Sequence, residues 1–331
     1  MNDAAPLGFA IPTYRRPELL DRALQSIVPQ ARELHAPIYI PDDSCDRTNV
    51  TVIAKWQQSY PLLIHEVNEH NLGIDRNIDK AIVGCPATYV HVIGEDDVIF
   101  PGFGARVTSL IRGQAPGHIV CSYLYLSNDY RQITGRPLIP ADAPAASLRR
   151  LLPHYGWALG FIGANVFCRE RFATCGVDGF GTYFHHIVRL TSYLEPDEML
   201  GFVAEPLVGN RADDETTASW SGDRLNVVFG LEKSFIAAMQ GRYSQAEIDQ
   251  TVAAARDCLG YAQFGRLLYW GVLAERSGTG AEYWETLKQL IPRSRYDRIR
   301  SVPAGLYAPV LGLVPWVRRT TRLVRRLRKG R

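Results

Sequence analysis

Four short apolar runs in the first hundred residues, Phe9 to Ile11, Ile38 to Ile40, Leu62 to Val67 and Tyr89 to Ile93, each stop at a polar loop. Between them lie stretches with helical spacing. After Pro17, which suits a first helical turn, Leu19, Leu20, Ala23, Leu24, Ile27 and Val28 recur on one face as far as Gln30. Further helices are predicted to end near Tyr60 and to cover about 75–83. Strands joined by helical crossovers run parallel, so the expected fold is α/β, a Rossmann-like mainly parallel sheet with helices on both faces. Ligands of such sheets bind outside the carboxyl ends of the strands. Three polar loops follow strands there directly: Pro12 to Arg16, Asp42 to Asp46, and Gly94 to Asp97.

Beyond residue 115 the pattern loosens. Strands are expected at His118 to Leu126, Phe161 to Cys168 and Phe202 to Val208, with a helix at Tyr183 to Leu194. Residues 1–210 are thus expected to form the sheet domain, and the polar stretch 211–223 a lid or linker. A helical C-terminal region follows over 224–304, with helices at about 224–240, 245–276 and 281–291.

Charge is unevenly placed. The net charge is +3, but Trp316 to Arg331 holds seven Arg and one Lys without an acid, leaving 29 basic against 34 acidic residues elsewhere. The body is therefore acidic, and no nucleic-acid-binding face is expected. Written on a helix, Arg318, Arg319, Arg322, Arg325, Arg326 and Lys329 cover one side, and Val317, Thr320, Val324 and Leu327 the other. The segment 305–331 is expected to lie on an anionic membrane surface; a solvated basic helix, a disordered tail and a nucleic-acid contact are the alternatives. The apolar stretch Gly305 to Val317, broken by Pro309 and Pro315, is shorter than the roughly 20 residues a membrane span needs. The six cysteines show no metal-binding or disulfide spacing and are read as reduced thiols. With no signal-peptide layout at the start, the expected location is cytoplasmic, peripheral on the inner face of the cell membrane.

The loops carry the candidate chemistry. Gly94-Glu95-Asp96-Asp97 brings up to three carboxylates into one corner, where like charges repel unless a cation sits among them. Hard oxygen ligands suit Mg²⁺ or Mn²⁺, and a cation held there can neutralise a diphosphate. An acidic turn capping the helix after Pro101 is the alternative. Asp42-Asp43-Ser44 can accept hydrogen bonds from a ribose or a base, or can serve as ordinary turn chemistry. No phosphate-binding glycine loop is present, so phosphate calls for metal and arginine instead.

In order, Ile11-Pro12-Thr13-Tyr14-Arg15-Arg16-Pro17, Pro41-Asp42-Asp43-Ser44, Asn71-Leu72-Gly73-Ile74-Asp75-Arg76-Asn77, and Tyr89 to Asp97 with Pro101 resemble the family-two glycosyltransferases of GT-A fold over residues 7–205. The resemblance implies transfer of a sugar from a nucleotide sugar to a hydroxyl of a glycan or lipid-linked glycan acceptor. It makes Pro12, Thr13, Tyr14, Arg16, Asp42, Asp43, Arg76 and Glu95 the nucleotide-sugar-binding set. Asp96, with Asp97, takes the metal position. Apart from the resemblance, Arg211 at the start of the polar stretch can close over a leaving diphosphate with bidentate geometry, or is a plain surface arginine. Gly94 departs from the family pattern, where many members carry the first Asp of D-x-D. The Glu-Asp pair that supplies the general base in inverting members is replaced by Thr182-Tyr183. The run Gly181 to His186 is similar to the abequosyltransferase-like branch, which works on bacterial surface polysaccharides. His185, His186 or Asp178 is then the candidate base; an imidazole near neutral pKa can take the hydroxyl proton, and at most one of two adjacent helical residues faces the site. A sugar nucleotidyltransferase and a non-catalytic membrane-surface protein with a degenerate site are the rivals.

Overall fold

The computed structural model describes residues 4–133, 139, 147–176, 180–211, 224–259 and 264–302. The first half alternates as expected: β1 (Ala5–Ala10), α1 (Pro17–Leu34), β2 (Ile38–Asp42), α2 (Val50–Ser59), β3 (Leu63–Val67), α3 (Ile74–Gly84) and β4 (Ala87–Val92). Next come β5 (Val98–Ile99), α4 (Phe103–Gln114), β6 (His118–Leu126), α5 (Leu148–Tyr155), β7 (Asn165–Cys168), α6 (Arg169–Thr174), α7 (His185–Tyr193) and β8 (Gly201–Arg211). The strands form one sheet in the order β3-β2-β1-β4-β7-β6-β8-β5.

β1 pairs in parallel with β2 on one side and β4 on the other, and β2 with β3. β7 runs antiparallel between β4 and β6, β8 is parallel to β6, and the two-residue β5 is antiparallel to β8. The sheet is thus mainly parallel, as expected. Its direction of growth reverses at β1, and the crevice between β1 and β4 is the switch point at which such sheets bind ligands. α1 shows why the alternation works: Leu20, Ala23, Leu24, Ile27 and Val28 are all buried at helical spacing, Pro17 sits in the first turn, and His35 in the left-handed region ends the helix.

One strand is shorter than its sequence suggests. Phe161 to Ala164 does not join the sheet; two 3₁₀ turns occupy Gly156–Gly160 and Ile162–Ala164, with Phe161 extended between them. The Asn165 side-chain amide donates to the carbonyls of Leu159 and Phe161 at 3.1 and 2.8 Å, and this local bonding outcompetes a ladder.

The remaining helices are α8 (Arg224–Met239), α9 (Gln245–Leu259), α10 (Phe264–Arg276), α11 (Gly280–Leu290) and α12 (Arg293–Arg300). The stretch expected as helix over 245–276 is helical at 245–259 and 264–276, and residues 260–263 lie outside the described set. Contacts divide the chain into compact units at 1–255 and 256–331, and α8 packs on α7 within the first. No helix among the described residues is long and apolar enough to cross a membrane. Of the expected lid 211–223 only Arg211 is described, as the last residue of β8, and the basic segment 305–331 lies outside the described residues.

Candidate active site

The loops after β1 and β4 meet at the switch point through one buried carboxyl. Thr13 Oγ1 donates to Glu95 Oε2 in a short hydrogen bond, and the Tyr14 backbone N–H donates to the same oxygen at 2.9 Å. Burial pushes the Glu95 carboxyl up to about 8 against the pull of these two donors. Glu95 therefore joins the two loops, and its carboxyl is largely protonated at neutral pH.

Asp96 and Asp97 differ from it. Asp96 Oδ2 lies 3.2 Å from Arg16 Nη1 and its side chain keeps a quarter of its exposure. Asp97 Oδ1 accepts the backbone N–H of Arg211 at 2.9 Å. A Cβ at Gly94 would sit 2.6 Å from Asp97 Oδ2 and 3.0 Å from Asp96 Oδ1, so both carboxylates fold over the place a side chain at 94 would fill. Glycine at 94 thus leaves open the space that these two carboxylate tips occupy. Two hard carboxylates suit Mg²⁺ or Mn²⁺, which complete their shells with water and diphosphate oxygens. The donor set fits such an ion, although no group of three candidate ligand residues stands together among the described residues.

A tyrosine that the sequence did not single out closes this corner. Tyr130 donates its phenol O–H to the Asp96 carbonyl at 2.7 Å, and the Arg22 and Arg211 guanidiniums lie 4.6 and 5.9 Å from its ring centre.

Asp42 and Asp43 sit at the end of β2, and the structure engages both within the protein. Asp42 accepts from Ser44 N and Asn49 Nδ2 at 3.0 and 3.1 Å and meets His65 at 3.3 Å. Burial raises its carboxyl, but these partners hold it below the usual range. Asp43 accepts from Asn68 Nδ2 and from the N–H groups of Leu72 and Gly73, at 2.9, 2.7 and 3.0 Å. Its carboxylate thereby shapes the loop into α3. Thr13 is buried beside them, and its carbonyl accepts the Asp43 N–H at 2.9 Å. Pro12 is half-buried and Tyr14 exposed in the same loop.

Arg76 leaves the N-terminal turn of α3 and lies over the Phe180 ring at 4.0 Å. Both line a pocket of about 480 Å³ with Tyr39, Glu66, Asp79 and Lys80. Asp75, also in the first turn of α3, accepts four backbone N–H bonds from the far loop: Gly181, Thr182, Tyr183 and His185, at 2.8 to 3.3 Å. One anion thus sits at the N-termini of both α3 and α7, where helix dipoles favour negative charge.

The two histidines are buried packing groups. His186 is 2% exposed and donates from Nε2 to the Leu159 carbonyl at 2.9 Å. Burial lowers its pKa to about 4, so it is neutral at pH 7. His185 is 1% exposed, stacks on Phe180 with centroids 4.0 Å apart, and lies 3.4 Å from Asp79. Arg189, one turn on, ion-pairs with the same Asp79. The helical arithmetic put His185 and Arg189 on one side and holds; the expectation that one imidazole opens onto the crevice meets burial of both. Asp178 lies outside the described residues.

Residues 9–168 match the family model for glycosyl transferase family 2. The chain carries a family-two glycosyltransferase domain. Over 235 residues the chain is 25% identical to abequosyltransferase RfbV of Salmonella typhimurium, covering 63% of this chain and 68% of that protein. Among solved structures, S. aureus TarS 1-349 in complex with UDP-GlcNAc superposes with a TM-score of 0.58 at 10% identity, over 94% of this chain and 92% of the other. The mannosyltransferase PcManGT from Pyrobaculum calidifontis in complex with GDP-Man and Mn²⁺ gives 0.55 at 14% identity, over 95% and 84%. These two likenesses are of fold, and the fold of the glycosyltransferase domain is GT-A.

Proposed function

We propose that the glycosyltransferase moves a sugar from a nucleotide-sugar donor to a hydroxyl of a lipid-linked or growing surface glycan, with Mg²⁺ or Mn²⁺ held by Asp96 and Asp97. The observation that carries this is the acidic corner: two carboxylates converging over Gly94 at the β1/β4 switch point, with Arg16 and Arg211 beside them. When bound, the ion supplies positive charge where the leaving diphosphate gains negative charge. Arg16 and Arg211 add guanidinium hydrogen bonds to the same diphosphate. The loop of Pro12, Thr13 and Tyr14 borders the nucleotide, and Asp42 and Asp43 hold that loop and the one before Arg76 in place.

The acceptor class is supported by the likeness to an enzyme whose name gives abequose transfer. With both histidines buried, Asp178 becomes the proposed acceptor base, since a base must come within hydrogen-bond reach of the proton it takes. The basic segment 305–331 would hold the protein at an anionic membrane surface beside such an acceptor.

The test is hydrolysis of a panel of nucleotide sugars with and without Mn²⁺. One donor is expected to turn over only with the ion, and Asp96→Asn should lower that rate by roughly 10²–10³, as loss of one transition-state charge partner does. No donor hydrolysed under any condition, with nucleotide binding retained, would favour the degenerate-site rival.

A further inference from the structure

The Tyr130 turn is a strained feature that touches the acidic corner. β6 leaves the sheet at Leu126 and the chain folds straight back, bridging Leu126 to Ile133 antiparallel. The turn is closed on itself: Ser127 N bonds the Gln132 carbonyl and Tyr130 N the Ser127 carbonyl, both at 2.8 Å. Asp129 Oδ1 accepts from Ser127 Oγ at 2.5 Å and from Arg131 N at 3.1 Å. At its tip Tyr130 has φ of 62°, a left-handed conformation that costs an aromatic residue free energy. Glycine or asparagine would sit there without that cost, so the turn alone does not explain a tyrosine.

The side chain does explain it. Its phenol reaches the Asp96 carbonyl, 34 residues away in sequence, at 2.7 Å. Its ring carries Arg22 from α1 at 4.6 Å and Arg211 from the end of β8 at 5.9 Å. Arg211 is tied to the corner a second time through its backbone N–H on Asp97. Three elements distant in sequence therefore converge on one side chain; a guanidinium is attracted to an aromatic face, and Arg211 is fixed further by its Nε, which donates to the Asn128 carbonyl at 3.2 Å.

We propose that Tyr130 is a positioning residue of the diphosphate site: it fixes the Asp96 main chain and holds Arg22 and Arg211 beside the acidic corner to receive the donor's diphosphate. Arg22 thereby joins the binding set. The inference rests on the glycosyltransferase reading above. Carboxylates alone repel a diphosphate, and the two arginines offset that repulsion whether or not the dication is present.

The test is calorimetric binding of UDP and of GDP to the full chain, in Mn²⁺ and again in EDTA, with Mn²⁺ affinity measured separately. Tyr130→Phe keeps the ring and loses the phenol; it should weaken Mn²⁺ binding several-fold and leave nucleotide affinity in EDTA within twofold. Tyr130→Leu removes the ring as well, and should weaken the better-bound nucleotide about tenfold in both conditions. Arg22→Gln should reproduce the nucleotide loss in EDTA with an unchanged melting temperature, a result that a purely structural tyrosine does not produce. Wild-type affinities in folded Tyr130→Phe and Arg22→Gln would overturn the inference and leave the glycosyltransferase reading standing. A wild-type chain that binds neither nucleotide nor Mn²⁺ overturns both.

Discussion

Glu95, Asp96 and Asp97 are consecutive acids with three different fates: burial sets Asp96 apart, and the partners each carboxyl meets separate the buried Glu95 from the buried Asp97. Glu95 points inward between two loops and holds its proton; Asp96 keeps an exposed edge beside Arg16; Asp97 accepts a backbone N–H from β8. The sequence predicted an acidic corner here but could not say which acid is open, because neutralisation depends on solvent access. The histidines follow the same rule. Burial lowers His91, His118 and His186 to about 4, 3 and 4. In the unfolded chain each takes up a proton near pH 6.5, whereas the folded chain resists until much lower pH. Their contribution to stability is thus full above 6.5 and lost as pH falls toward 4, by about 1.4 kcal/mol per pH unit for each histidine in that window. Glu95 works the other way: its proton is held in the fold up to about pH 8 and adds stability as pH falls from 8 toward 4.5, so urea midpoints should rise slightly from pH 8 to 7 and fall below 6.5, where three histidines outweigh one carboxyl, and His186→Gln should make that fall shallower. A slope unchanged by that substitution would mean His186 is protonated in the folded state.

Among the elements, α3 and α7 show how two helices from distant parts of the chain come to share one anion. α7 has no side-chain cap of its own from Phe184, and the N–H groups leading into it are satisfied by Asp75 of α3. Farther along the same pair, His185 and Arg189 meet Asp79. Asp75→Ala strands those donors in a half-buried loop and is expected to cost about 1–3 kcal/mol in chemical denaturation. Asp75→Asn, which keeps one acceptor oxygen, should cost less. Equal stability of Asp75→Ala and wild type would mean that the loop does not depend on this carboxylate. The residue was in plain view inside the Asn71 to Asn77 motif, yet its partners lie more than a hundred positions on. Spacing within a motif carries no signal for such a contact. The short 3₁₀ turns before β7 were also hidden, because the apolar composition of Phe161 to Cys168 suits a strand until Asn165 bonds back on its own chain.

For the whole molecule, the proposed function gives the acidic corner a metal-borne diphosphate and the basic segment 305–331 an anionic surface. Removing residues 305–331 should release the protein from vesicles of anionic lipid while leaving Mn²⁺-dependent donor hydrolysis in solution within about twofold, given roughly 1 kcal/mol of surface attraction per basic residue. Persistent vesicle binding after truncation would place the anchor elsewhere. Local sequence determined the alternation of strand and helix, the parallel half of the sheet and the three loops at its carboxyl ends, because period and turn chemistry act over a few residues. Only the tertiary structure decided that Glu95 is sealed in, that Gly94 leaves room for two carboxylates, that Tyr130 gathers Arg22 and Arg211, and that both candidate histidines turn inward. Each of these depends on the distance between residues far apart in the chain and on how much water reaches them, and neither quantity exists until the chain has folded.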